Sequence, residues 1–319
     1  MSKNSKVLIL GSLVFDNLMH YPDFFEKNIV IGERNNIDGS FVVDKFEICR
    51  GGTAGNISYN LGKLNIKNIL ISVAGKDFLE YGKLLEKMGT DLRVDIYEKE
   101  NTAACFIIYD KDHDKINIFC AGALQNAYKI KISEKIYPNE DIKIAINAPN
   151  PINSMKNFAV QLEDLKILMI FDPGQQINEF SKGDLLKILK KSKYLILNES
   201  ELEILKKKTK LAEDQINQLV NNIIITLGAK GSKICRIDDK IHISAAKPKI
   251  VLDTTGAGDA YRAGLLTGIY YNISLEDSCK LGSIVSSFSV ESSVPQNQEF
   301  DFDDIKIRYE ENFGKFPIS

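Results

Sequence analysis

Residues 253–264 read DTTGAGDAYRAG, and they set the character of the whole chain. The stretch follows a polar, Pro-containing segment and opens the apolar run LLTGIYY (265–271), so it reads as a loop turning into a helix. Gly256 and Gly258 can take backbone angles closed to other residues and let a ligand approach the main chain. A helix starting near Ala257 leaves its first amide N–H groups unpaired, and those donors with the helix dipole form a phosphate site. Asp259 sits in that cradle. It either complements the dipole as a plain helix-terminal acid or faces a group other than phosphate. A hydroxyl awaiting phosphorylation is such a group. Asp259 would take its proton while the amides of Gly256, Ala257 and Gly258 stabilise charge on the phosphoryl in flight. An ordinary Asp, with a pKa of about 4, is a weak base. That suffices where positioning and charge stabilisation carry phosphoryl transfer. No GxxxxGK[ST] occurs, so this is not a P-loop enzyme.

The chain has 319 residues and a formal net charge of −2, which gives no bulk attraction to nucleic acid or anionic membrane. Lys-rich runs such as Lys206-Lys207-Lys208 lie among acids and read as solvated helix faces. The five cysteines are scattered without CxxC spacing and read as reduced thiols of a cytoplasmic protein. The three histidines (His20, His113, His242) are far apart, which excludes an HExxH-type metal site. The N-terminal apolar run is too short for a membrane span and lacks the form of a secretory signal.

Short β-rich runs recur at 7–10, 68–73, 142–147, 166–171, 194–197 and 223–226, several followed by amphipathic segments such as AGNISYNLGKL and ESELEILKKK. Alternation of this kind predicts an α/β fold: a mostly parallel sheet flanked by helices in three layers, with its site beyond the carboxyl ends of the strands. Two regions, about 29–48 and 92–120, break the rhythm. The second contains ACFIIYD and KINIFC around KDHD, the pattern of an antiparallel hairpin. A small β-sheet lid or an ordinary edge extension fits both regions, within a single domain spanning 1–319.

DTTGAGDAYRAG resembles the second signature of the ribokinase-like (PfkB-type) kinases, and RGGTAGNISYNLGKL (50–64) resembles the first. The two lie where that family places them, and the resemblance runs nearly end to end. It implies a ribokinase-like fold with a lid, ATP as co-substrate and Mg²⁺, and it leaves a monovalent-cation requirement open. It implies that Asp16, at the end of the first strand, holds two sugar hydroxyls, with Gly51, Gly52 and Asn56 beside the sugar. NESE (198–201) matches the family's NxxE, so Asn198 and Glu201 would orient Mg²⁺ and its waters; a helix cap with an exposed acid is the plainer reading. In TLGAKG, Thr226, Gly228 and Gly231 would line ATP, or simply form a tight turn. Arg262 would reach a phosphate or pair with an acid. Lids in the family often meet across a homodimer interface, so a dimer is expected.

Three stretches, GSLVFDNLMHYPDFF, GSFVVDKFEICRGGTAGN and FDPGQQ, are similar to bacterial adenosine kinases of this family. The resemblance assigns Ser12, Ser40, Gln175 and Gln176 to the nucleoside, Gln175 and Gln176 at the adenine edge. A polar loop is the plainer reading of the glutamines. Phe119 falls where an aromatic should flank the base. A second aromatic is expected where Cys105 stands; Phe106, one residue on, would face the opposite side of its strand. The reading is therefore an ATP-dependent adenosine 5′-kinase. The alternatives are a broader nucleoside kinase and a sugar kinase of the same family. An inert ligand sensor on this fold would not need both Asp259 and Glu201. A Rossmann dehydrogenase is disfavoured because the first strand leads to GSLVFD and not to GxGxxG.

Overall fold

The short apolar runs do become strands buried on both faces, as a sheet sandwiched by helices requires. The computed structural model describes residues 5–31, 37–112 and 114–318. In chain order the strands are β1 Lys6–Leu10, β2 Val14–His20, β3 Ile29–Ile31, β4 Ile37–Gly39, β5 Lys45–Gly51, β6 Asn68–Gly75, β7 Thr90–Tyr97 and β8 Ala103–Tyr109. They continue with β9 Lys115–Cys120, β10 Ile142–Asn147, β11 Met169–Phe171, β12 Tyr194–Asn198, β13 Ile223–Thr226, β14 Ser232–Cys235 and β15 Lys240–Ile243. The helices are α1 Thr53–Lys63, α2 Leu79–Lys87, α3 Ile132–Lys135, α4 Ile152–Asp164, α5 Lys182–Lys191, α6 Glu199–Thr209, α7 Glu213–Asn217, α8 Ala257–Tyr270, α9 Leu275–Ser289 and α10 Phe302–Phe313.

The large sheet has nine strands in the order β15-β14-β13-β12-β11-β10-β1-β6-β7. Strands β7 to β13 along that order run parallel, and β14 and β15 finish the edge antiparallel. Alternation along β1 divides the core. Val7 and Ile9 pack with Ile57, Leu61, Leu265, Ile284 and Ile305 from α1, α8, α9 and α10. Leu8 and Leu10 point the other way, among Phe158, Leu162, Leu185 and Leu205 from α4, α5 and α6. These are the three layers expected. Among the described residues no helix is long and apolar enough to cross a membrane.

The second sheet has four strands, β5-β2-β8-β9. Its composition corrects the boundaries read from sequence. Residues 92–97 belong to β7, which pairs parallel with β6 at the edge of the large sheet. An edge strand is half solvated, so its alternating pattern looks like that of a lid strand. Conversely β2, which carries Asp16, belongs to the small sheet, between β5 and β8. Of the region 29–48, β3 and β4 form a separate two-stranded ribbon and only the part from Lys45 joins the small sheet. Residues 32–36 and His113 lie outside the described residues.

Helix α8 is buried along most of its length, Ala260 to Gly268, and α9 crosses it closely. The contact depends on glycine. A Cβ on Gly264 would sit 2.4 Å from the Leu281 carbonyl oxygen, and one on Gly268 would lie 2.5 Å from Ser278 Cα. Both obstacles are backbone, which has no rotamer to yield. Gly264→Val should therefore destabilise the protein by about 2–3 kcal/mol, read as a lower thermal midpoint with the helix spectrum otherwise retained.

Candidate active site

Helix α8 begins at Gly256, whose φ of 78° is the left-handed conformation a loop needs to enter the helix at this angle. No side chain caps this end. The preceding turn uses one of the three amides named above, since Ala257 N–H donates to Thr254 O at 3.2 Å. Asp259 lies in the first turn, half-buried, and its Oδ2 accepts from Asn56 Nδ2 at 2.8 Å. Asn56 comes from α1, more than 200 residues away in the chain, so the two signature stretches meet side chain to side chain.

Helix α1 is entered through a second left-handed glycine. Gly52 has φ 84°, and a Cβ there would lie 2.5 Å from Ser12 O and 2.7 Å from Val14 N. This close approach seats the end of β5 on the segment joining β1 to β2. Ser12 is buried there, with its Oγ 3.3 Å from Thr53 Oγ1. It also brings Gly51 against Asp16, since a Cβ on Gly51 would meet Asp16 Oδ2 at 2.1 Å. Asp16 lies inside β2 and not at the end of the first strand, because β1 stops at Leu10. Lost hydration, then repulsion from Asp259, pushes the Asp16 carboxyl up to about 6. Lost hydration likewise raises Asp259 to about 6, against the opposing pull of Arg262 and the Asn56 hydrogen bond. Two carboxylates of one sign thus share a poorly hydrated space.

Strand pairing aligns more side chains with Asp16. It lies opposite Cys49 on β5 and Cys105 on β8, and Cys105 lies opposite Phe119 on β9. Residues paired across strands project to one face, so Cys49, Asp16, Cys105 and Phe119 form a row on the inner face. Phe119 is 55% exposed on that face. Tyr109, four residues further along β8, projects to the same face, and burial, then the charges of Asp253 and Asp16, raise its hydroxyl pKa. Phe106 pairs with Asn17 and Ile118 on the opposite face, as the one-residue offset predicts.

Most of the remaining residues gather at the carboxyl ends of the large sheet's strands. Asn198 ends β12 beside Thr226, which ends β13. Asn198 and Glu201 close a capping box: Asn198 Oδ1 accepts from Glu201 N, and Glu201 Oε2 accepts from Asn198 N, both at 2.8 Å. The helix-cap reading of NESE is therefore realised, and burial raises the Glu201 carboxyl above its usual range. Gly228 and Gly231, at φ 57° and 93°, form the turn after β13. Gln175 and Gln176 lie in a short 3₁₀ turn after β11, the first exposed and the second half-buried. Arg262 pairs with an acid: it is buried and bonds both carboxylate oxygens of Asp172, at 2.6 Å from Nη2, while Nη1 donates to Gly258 O at 2.9 Å. Of the two readings of Arg262, the pairing with an acid is the one these contacts realise. Ser40 is exposed just past the β3–β4 ribbon, its carbonyl accepting from Asn28 Nδ2.

Residues 12–300 match the pfkB family of carbohydrate kinases. The chain belongs to that family. A nucleoside kinase of Methanocaldococcus jannaschii is 30% identical over 315 residues, covering 97% of this chain and 98% of that protein. The structure of Burkholderia thailandensis nucleoside kinase in complex with inosine superposes with a TM-score of 0.86 at 29% identity, covering 98% of this chain and 100% of the other. A ribokinase of Haemophilus influenzae is 24% identical over 318 residues, covering 91% of this chain and 95% of that protein. The ribokinase-like fold and membership among nucleoside and sugar kinases follow.

Three further buried polar residues stand out in the structure. Asp172 stands in FDPGQQ, four residues before Gln176, but its partner is 90 positions away. Asn150, beyond β10, is 1% exposed, and both its amide atoms lack partners among the described residues. Gln296 bonds Asn56 from 240 positions away. Only Asp172 had a local signal, an acid at the carboxyl end of a predicted strand.

The raised Asp259 pKa carries a stability consequence. Its folded value of about 6 exceeds the ~3.9 of an unfolded chain, so ionised Asp259 costs folding energy, and stability falls as pH rises through that window. Asp259→Asn should raise stability at pH 8 by about 1–2 kcal/mol and confer no such gain at pH 4, measured by thermal melts at both pH values.

Proposed function

We propose that this kinase transfers the γ-phosphoryl of ATP to the 5′-hydroxyl of purine nucleosides, adenosine first among them and inosine with it. The observation that carries the reading is the row Asp16–Cys105–Phe119 on the inner face of the lid, with Asp16 beside Asp259. Asp16 and Phe119 lie two strands apart, about 10 Å, the scale of a nucleoside from its ribose hydroxyls to its base. A free pentose would leave Phe119 without a partner. The nucleoside kinase of M. jannaschii and the inosine complex of the B. thailandensis enzyme support the same substrate class.

In this reading Asp16 accepts hydrogen bonds from two ribose hydroxyls. Asp259 takes the proton of the 5′-hydroxyl. Held near 6, its carboxyl is still mostly ionised at pH 7 yet a stronger base than an ordinary Asp. The open end of α8 receives the transferred phosphoryl, with the Gly256 and Gly258 amides as donors. Among the described residues no three acidic, His or Cys side chains cluster to hold a metal. A Mg²⁺ ion held largely by phosphates and water suits such a site, where it would neutralise phosphate charge. Asn198 and Glu201, which bond each other, would reach its waters rather than the ion itself. Cys105 leaves the second side of the base without an aromatic, which favours tolerance among purines over strict adenosine selectivity.

The outer face of the lid carries Phe46, Ile48, Phe106 and Ile118, exposed by 54, 61, 38 and 56%. An apolar patch of this kind marks an interface, and a second copy of the chain is its occupant in this proposal. Ile48→Glu should convert a dimer to a monomer in light scattering coupled to size exclusion; a wild-type monomer would remove the interface.

Product formation with Mg·ATP should be strong for adenosine and inosine and absent for ribose and fructose 6-phosphate. Gln176→Ala should raise the nucleoside KM about tenfold, and Asp259→Asn should lower kcat about 10³-fold while nucleoside binding persists. Turnover with a sugar alone would overturn the nucleoside reading and leave the base and cradle standing.

A further inference from the structure

The hydrogen bond between Asn56 and Asp259 is one end of a longer directed chain. Asn56 Oδ1 accepts from Gln296 Nε2 at 2.9 Å. The same Nε2 lies 2.6 Å from Tyr81 OH, and Tyr81 OH donates to the Gly51 carbonyl at 2.8 Å. Counting protons fixes every direction. The Tyr81 proton goes to Gly51 O, so its oxygen accepts from Gln296. The two hydrogens of Gln296 Nε2 thus go to Tyr81 and to Asn56.

This arrangement selects one of the two orientations of the Asn56 amide. With Gln296 donating from one side, Asn56 presents oxygen to it and N–H to Asp259. Turned over, the amide would set oxygen against a carboxylate oxygen and N–H against N–H. Asp259 accepts and Gln296 donates, so each side favours the same orientation.

Two features show that the junction is retained at a cost. Gln296 follows Pro295 at φ 62°, the left-handed region in which a residue with a Cβ is strained. Its Oε1 is buried without a hydrogen-bond partner among the described residues. A third feature shows that space is kept for it. Gly55 on α1 stands where a Cβ would lie 1.8 Å from Tyr81 OH and 3.3 Å from Gln296 Nε2. The far end of the chain, Gly51, closes lid strand β5 and adjoins the left-handed Gly52 through which β5 joins α1.

We propose that Gln296 and Tyr81 are positioning residues of phosphoryl transfer: they hold the Asn56 amide against Asp259 and join the lid hinge at Gly51 to that carboxylate, so hinge position and the basicity of Asp259 are coupled. The proposal rests on Asp259 being the base. The other charged or titratable groups that act on Asp259 are Asp16 on β2, Arg262 on α8, Asp172 after β11 and Tyr81 itself on α2. None of the first three is bonded to Gln296, so the variants below leave those charges in place.

The test uses the full chain with Gln296→Ala and Tyr81→Phe. Two quantities are read: the pH profile of nucleoside kcat/KM, and the titration of the Asp259 carboxyl carbon by ¹³C NMR, assigned with Asp259→Asn. Loss of Gln296 frees the Asn56 amide to turn away. Both the acid limb and the NMR titration should then move up by about half to one pH unit. The value of kcat should fall about tenfold, with the KM for ATP little changed. Tyr81→Phe, which keeps the ring and removes only the hydroxyl, should move both in the same direction by less. A lower thermal midpoint with neither titration moved would overturn the proposal and leave the junction as packing alone. An NMR titration that moves while the rate profile stays would overturn Asp259 as base, and the catalytic role of the junction with it.

Discussion

The site hangs on the buried pair between Arg262 and Asp172. Asp172 is fully buried just past β11, and Arg262 reaches it from the second turn of α8 with two N–H groups. A buried ion pair is a poor source of net stability, because desolvation of both charges offsets most of their attraction. Its effect here is positional. The planar fork of a guanidinium bonds a carboxylate in one geometry, and a third bond to Gly258 O fixes the first turn of α8 to the same fork. The start of α8, which would receive the phosphoryl in the proposed reaction, is thereby referenced to the central sheet and does not float with the loop before it. Arg262 also opposes the rise in the Asp259 pKa, so one side chain sets both the place and the charge of that carboxylate.

A second constraint runs through residues 51–56. Within six positions the chain ends lid strand β5, turns at a left-handed glycine, starts α1 and delivers Asn56 to Asp259. The same turn presses Gly51 against Asp16. One short segment therefore both packs against Asp16, through Gly51, and carries the Asn56 amide that touches Asp259. Any movement of the lid strand relative to α1 must pass through Gly52. Side chains at 51, 52 or 55 would each collide with an atom the site uses, so this stretch has glycine where it does for separate steric reasons.

What could be read from sequence divides along range. The cradle at 256–259, the glycine pair at 51–52, the parallel strands and the Asp259 carboxylate were legible because each is encoded within a dozen residues by turn chemistry or by period. Helix ends were legible too, and NESE proved to be the capping box that its spacing allows. Strand β7 was misread because an edge strand of a parallel sheet has one solvated face and shows the alternation of a lid. Strand β2 was missed because its inner face carries Asp16, a residue no strand pattern expects. The bonds from Arg262 to Asp172 and from Gln296 to Asn56 join residues 90 and 240 positions apart. No local pattern encodes such pairs, since even Asp172, whose place at the end of a strand is a signal, carries no mark of the residue it meets.

That division has a physical reason. Phosphate binding needs backbone amides in a set conformation, and conformation is a local property that glycine spacing advertises. Basicity is different. It depends on how much water reaches a carboxylate and which charges lie within a few ångströms, and both are fixed only when distant segments pack. Asp16 and Asp259 look like ordinary acids in the sequence. They become a pair near 6 because β2 and α8 are brought together over a poorly hydrated space. The fold keeps that unfavourable meeting of two acids, and in the proposed reaction a substrate hydroxyl would separate them, so that the energy withheld from stability would go to orienting and deprotonating the nucleophile.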